Sequence, residues 1–377
     1  MTTASGDAVS NASFDWSATD ADYMSPAYLR NHFRQAFGKF DKGIYWLRAP
    51  AGMGKTQFIR GVTGKRPAKD PTKTEGIDSS ISADARSIAF HIPKGEAIGP
   101  RQFVDGLKSA FDSEFALDAE ERAQTGAALR YDNPAAARED FVAWLARLRD
   151  CAAAKGAKRL LVCIDGLDLL TEPEPGASAE NFSLLELLPS APELPAGVTL
   201  LISSRPAADW PPGLFERAQA RIGVGEGLTA LDLSLQEKAY IELLQRYFTE
   251  RLRPLFRSRA QAHLRELLEN KTPFEKGGRD ARLTNDPTLR DGLKDDWKKL
   301  TNKFPRWTGE QLPITPIVEI LDQRDKLWID MIDRTESRFS YIAALTARLL
   351  DGSFAVEQVE GLPKGEAMLA SLGSAPQ

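Results

Sequence analysis

The chain has 377 residues, 42% apolar and 27% charged, which are the proportions of a globular protein with room for more than one domain. A net charge of −4 gives no electrostatic footprint for nucleic acid or an anionic membrane surface, and no apolar run reaches the length of a membrane-spanning helix. Two cysteines, Cys151 and Cys163, make neither a disulfide framework nor a metal-ligand pattern, and they point to a reducing cytoplasm.

Residues 1–24 are small and polar and read as a flexible tail; Met1–Asp22 lacks the basic and apolar blocks of a secretory signal. Ser25-Pro26 then starts a helix, with Ser at the cap and Pro in the first turn. Tyr28, Leu29, His32, Phe33 and Phe37 share one face of it, so His32 is expected to pack against the core. Ile44-Tyr45-Trp46-Leu47 is a strand.

The stretch that organises the chain follows at once: Ala49-Pro50-Ala51-Gly52-Met53-Gly54-Lys55-Thr56-Gln57. An apolar strand, a glycine turn and a helix start are the context of a phosphate-binding loop. Gly52 and Gly54 allow backbone N–H groups to turn inward around phosphate oxygens, and the helix N-terminus adds positive potential. Lys55 would reach the β- and γ-phosphates and the Thr56 hydroxyl would sit on Mg²⁺.

Residues 64–83 read as an exposed loop, and Ser87–Ile92 as a second strand in which His91 reads as an ordinary strand residue in preference to one that approaches a nucleotide. Helices are expected over Pro100–Phe111 and Pro134–Ala154 from their apolar spacing. Five apolar residues from Leu160 to Ile164 form a strand buried on both faces, with Asp165 at its C-terminal end, where ligands bind in parallel sheets. Asp165 and Asp168 are candidate carboxylates for a metal and for catalysis. A loop at 171–182 and a short helix at Leu184–Leu188 lead to another buried strand, Val198 to Ser204, which ends at Arg205. Leu228–Leu233 is a fifth strand. Ser234-Leu235-Gln236-Glu237 reads as a capping box opening a helix with Tyr240, Leu243, Leu244, Tyr247 and Phe248 on one face. Helix continues to about Asn270, a polar insert covers 271–312 with a helix at Leu293–Leu300, and a last helix spans Glu336–Leu350.

Four stretches in this order resemble the NACHT branch of the STAND NTPases. They are Ala-Pro-Ala-Gly-Met-Gly-Lys-Thr at 49–56, Ile-Asp-Gly-Leu-Asp at 164–168, Leu-Ile-Ser-Ser-Arg-Pro at 201–206, and Leu-Asp-Leu-Ser at 231–234. The resemblance implies a parallel five-stranded P-loop NTPase sheet flanked by helices over 25–232. A helical domain would follow over 233–365, and a tail over 366–377.

It also implies ATP or ADP with Mg²⁺, held by the loop from Pro50 to Gln57. Lys55 would contact phosphate, Thr56 and Asp165 would hold the metal, Asp168 would help activate water, and Arg205 would sense the γ-phosphate. Leu169 stands where the family often has Glu, so slow hydrolysis is expected. The implied function is a cytoplasmic molecular switch that self-associates or meets protein partners in its ATP state and takes part in signalling, in bacteria often in defence. An AAA-like motor and a scaffold with a structural nucleotide are the alternatives. In the family a Leu-Pro pair like Leu362-Pro363 leads to further domains, so the chain is expected to be either a core cut from a longer protein or a reduced version.

Overall fold

A computed structural model of the chain describes residues 27–63, 85–172, 182–223, 225–269 and 315–373, with the side chains of 27–28, 257, 260–269, 315–321 and 373 left aside. It divides into two compact units, Met1–Glu237 and Lys238–Gln377.

The first unit contains α1 (Ala27–Lys39), β1 (Gly43–Arg48), α2 (Lys55–Val62), β2 (Ala85–His91), α3 (Pro100–Phe115), α4 (Ala119–Gln124) and α5 (Pro134–Ala154). It continues with β3 (Arg159–Asp165), α6 (Leu184–Leu187), β4 (Val198–Ser204), α7 (Leu214–Ile222) and β5 (Leu228–Asp232). The strands form one sheet in the order β2-β3-β4-β1-β5, and every pairing is parallel. Parallel neighbours need long crossovers, which the helices supply. β3 and β4 are buried at nearly every position, as their apolar runs require.

Side chains alternate between two cores. Tyr45, Leu47, Leu161, Cys163 and Leu201 pack with Phe33 and Phe37 of α1 and Phe58 and Ile59 of α2. Trp46, Phe90, Val162, Ile164, Leu200 and Ile202 pack on the other face with residues of α3, α5, α6 and α7. The connection from β1 to β2 runs one way along the sheet, and the connections among β2, β3, β4 and β5 run the other. Crossovers of one hand must then place α2 opposite α3, α5 and α7, as found. β1 and its neighbour β4 thus send their chains to opposite faces, which opens a crevice at their C-terminal ends.

The second unit holds α8 (Lys238–Glu269), α9 (Thr315–Arg334), α10 (Phe339–Leu350) and α11 (Glu366–Gly373). Tyr247 meets Phe339 and Phe248 meets Trp328 through their rings. Among the described residues no helix is long and apolar enough to cross a membrane.

Several sequence expectations are corrected. His32 is exposed on α1 rather than packed against the core, because the buried face of that helix runs through Leu29, Phe33 and Phe37. Ser234 does not open the helix: its hydroxyl accepts from Gln236 N and its carbonyl from Glu237 N, closing a separate turn before α8 starts at Lys238. The helix expected from Glu336 begins at Phe339, because Glu336 and Ser337 adopt left-handed conformations (φ 51° and 58°) and break the chain between α9 and α10. Residues 366–373, read as tail, are helical and bury Met368 and Leu372. The tail before residue 25, the loop at 64–83, most of the loop at 171–182, and the insert at 271–312 with its helix at Leu293–Leu300 lie outside the described residues.

Candidate functional site

The site is built at the C-terminal ends of β1, β3 and β4. As β1 ends, Ala49 N donates to Ser204 O of β4 at 3.0 Å, which pins the start of the loop to the sheet. The chain then turns through Gly52 (φ 82°) and Gly54 (φ 85°), a backbone region that other L-residues enter only at a cost. Gly54 stands at the N-cap of α2, and no side chain caps that helix. Its leading amides and dipole therefore face the loop. Phe58 and Ile59 anchor α2 in the core beneath.

Lys55 folds back over this turn. Its Nζ donates to Ala49 O at 2.6 Å and to Pro50 O at 3.0 Å. Burial pushes its ammonium down to about 8, against the pull of Asp168 and Asp165 and together with the push of Arg205.

Across the crevice, Asp165 ends β3 and is buried. Its Oδ1 accepts from the Ser203 hydroxyl, and its Oδ2 pairs with His91 Nδ1 at 3.0 Å. The Thr56 hydroxyl lies near enough to favour its charged form as well. Burial presses this carboxyl upward, but the His91 ring and the Ser203 and Thr56 hydroxyls outweigh it and hold the group below its ordinary value.

A turn at Gly166 (φ 82°) then places Asp168, which is also buried. Asp168 Oδ1 accepts from Arg205 N at 2.9 Å and Oδ2 from Arg205 Nε at 2.7 Å. Leu169 leaves the site and packs against the core. Arg205 is itself held from behind: its carbonyl accepts from Trp210 Nε1 at 2.8 Å and from the Ser204 hydroxyl, which in turn accepts from Trp46 Nε1.

The structure thus brings together Lys55, Thr56, Asp165, Asp168 and Arg205, which lie far apart in sequence. Pro50, Ala51, Gly52, Met53 and Gly54 form the loop itself, with Met53 buried. Gln57, on the first turn of α2, has a buried Oε1 with no partner among the described residues. Arg205 is engaged with Asp168 rather than standing free. Sequence reasoning missed His91, which lies opposite Asp165 in the β2–β3 register, and it missed Ser203 and the two tryptophans. The register could not be read without knowing that β2 pairs with β3.

The donor set suits a small hard cation. Among the described residues no cluster of three or more His, Cys, Asp and Glu is placed to hold a metal. A single carboxylate with an adjoining hydroxyl is instead the kind of partial site Mg²⁺ uses when phosphate oxygens and waters complete its shell. The glycine turn, the uncapped helix end and the Lys55 ammonium could hold such phosphates.

No protein-family model matches the chain, and no curated protein matches it.

Proposed function

We propose that the chain is a P-loop NTPase of the NACHT-type STAND class, a switch that binds ATP or ADP with Mg²⁺, hydrolyses slowly and couples nucleotide state to self-association and signalling. The observation that carries this reading is the meeting of Thr56 and Asp165. The residue after the loop's lysine lies near enough to the carboxylate at the end of β3 to favour its charged form, with Lys55 in the field of Asp165 and Asp168. In this role Lys55 exchanges its carbonyl partners for β- and γ-phosphate oxygens, and Thr56 and Asp165 hold the cation. Bound Mg²⁺ would neutralise charge on the phosphates.

Slow turnover follows from two side chains. Leu169 brings no carboxylate, and Asp168 is tied by two bonds to Arg205, so neither stands ready as a base. Both cysteines are free, which supports a cytoplasmic location.

The test is the mass of any nucleotide carried by the purified protein, followed by Mg²⁺-dependent ADP and ATP binding. Lys55→Ala is expected to weaken binding by about 100-fold, since bonds from an ammonium to phosphate are charge-assisted. Unchanged affinity in that variant refutes the site. A larger assembly in a non-hydrolysable ATP analogue than in ADP is expected of the switch, and equal size in both refutes the coupling.

A further inference from the structure

We infer that Arg48 and Asp232 tie occupancy of the loop to the segment by which the chain leaves its first unit. The inference rests on the nucleotide reading above and gives a positioning role to two residues outside the loop.

Arg48 is the last residue of β1, and the loop begins at the next one. Asp232 is the last residue of β5 and stands opposite Arg48 in the parallel register. From there residues 233–237 lead to Lys238, where the second unit begins. The peptide between Arg48 and Ala49 is held on both sides. Its N–H, from Ala49, donates to Ser204 O of β4 at 3.0 Å, and its carbonyl, Arg48 O, accepts from Leu233 N at 2.8 Å. The Arg48 side chain adds a third bond, from Nη2 to Asp232 Oδ2 at 2.6 Å. The start of the loop, the end of β4 and the exit of β5 therefore meet at one residue.

The guanidinium itself is fixed. The Arg48 side chain is 15% exposed and lies over the rings of Trp46 and Phe215, at 5.0 Å and 5.8 Å from their centroids. Both rings pack with Trp210, whose indole holds the Arg205 carbonyl. Arg48 thus rests on the same aromatic cluster that supports the sheet side of the site. Its Nε is buried without a partner, and among the described residues Asp232 is the acceptor that its guanidinium finds. Asp232 is exposed on an edge strand, so replacing it breaks the tie and leaves the cores alone.

The Leu233 amide exchanges with solvent when its bond to Arg48 O opens, and either strand end can open it by moving. A nucleotide fixes the loop and with it the 48–49 peptide. Opening must then come from β5, where the Arg48–Asp232 pair resists it. Without the pair, β5 opens whether or not the loop is occupied.

The experiment is hydrogen exchange by mass spectrometry on the full chain, read in peptides covering 230–237. Rates are compared without nucleotide and with ADP and Mg²⁺ at a saturating level set by a separate binding titration. The readout is the ratio of the two rates, because simple loosening of β5 raises both. The wild type is expected to exchange about fivefold or more slowly with ADP, the scale of coupling between sites. Asp232→Ala is expected to bring the ratio close to one. Asp232→Asn keeps an oxygen for Arg48 and should retain most of the effect. Ala230→Gly weakens β5 without touching the pair and should leave the ratio intact. A wild-type ratio close to one, an unchanged ratio in Asp232→Ala, or an equal loss in Ala230→Gly overturns the inference while the nucleotide site stands. Failure of the wild type to bind ADP in the titration overturns the parent reading instead.

Discussion

The two sides of the site are held by different kinds of bond. On the sheet side, Asp165, Asp168, Ser203 and Arg205 stand at the ends of β3 and β4 and bond side chain to side chain, with His91 and Trp210 behind them. On the loop side, the reaching group is Lys55, and it rests on the neutral carbonyls of Ala49 and Pro50. A phosphate competes well with a carbonyl for an ammonium, because the charged acceptor makes the stronger bond. It competes poorly with a buried carboxylate for a guanidinium. The sheet side is therefore already assembled, and the loop side is the one a phosphate ligand would rearrange.

That contrast is most easily broken at Arg205. Its side chain is the partner of Asp168 Oδ2, and the Asp168 side chain is 2% exposed. Arg205→Ala leaves that oxygen buried and unpaired, although the backbone N of residue 205 still serves Oδ1. The expected cost is about 3 kcal/mol in urea unfolding of the ligand-free protein, the scale of a buried ion pair missing one member. Adding Asp168→Asn removes the stranded charge and should recover part of the loss. A loss below about 1 kcal/mol in Arg205→Ala would mean that the sheet side is not held by its ion pair.

The loop side is sharpened by pH. Lys55 is pushed down to about 8 from an ordinary 10.5, chiefly by burial. The unfolded chain therefore holds this proton more tightly, and between about 8 and 10.5 the group makes the ligand-free protein more stable as pH rises. On the proposed reading, nucleotide binding would have the opposite sign, because a triphosphate favours the charged ammonium and binding would take up a proton wherever Lys55 is neutral. Affinity is expected to fall as pH rises through about 8, by up to about tenfold per pH unit. Calorimetry in two buffers of different ionisation heat would measure the proton taken up. Lys55→Arg stays charged and should lose the dependence, whereas a flat affinity from pH 7.5 to 9.5 in the wild type would separate Lys55 from the ligand.

How much of this was legible depended on whether a feature is written locally. β3 and β4 are, because strands buried on both faces appear as apolar runs such as Leu160–Ile164 and Leu200–Ile202. The loop is, because its glycines, lysine and threonine are contiguous. The pairing of His91 with Asp165 is not, since it exists only once β2 lies beside β3, 74 residues apart in sequence. Nor is the engagement of Arg205 by Asp168, which needs the Gly166 turn to bring that carboxylate back over the end of β4. α7 went unread after Pro211-Pro212-Gly213, although Leu214, Ala218 and Ile222 recur at helical spacing. The break at Glu336-Ser337 was hidden because left-handed backbone at residues other than glycine carries no compositional sign.

Trp210 separates the backbone of Arg205 from its side chain as the organiser of the sheet side. The indole N–H donates to Arg205 O at 2.8 Å, and the ring packs edge-on to Trp46 and Phe215 at centroid distances of 6.3 Å and 5.5 Å. Trp210→Phe keeps an aromatic ring against both neighbours and deletes the donor. The Arg205 carbonyl still accepts from the Ser204 hydroxyl at 3.0 Å, so it is not stranded. The expected cost is about 1 kcal/mol, an ordinary neutral hydrogen bond, with nucleotide affinity within about twofold of the wild type. If Trp210→Phe instead costs as much as Arg205→Ala, the ion pair is a consequence of a correctly held backbone, and the bond that assembles the sheet side comes from the aromatic core beneath it.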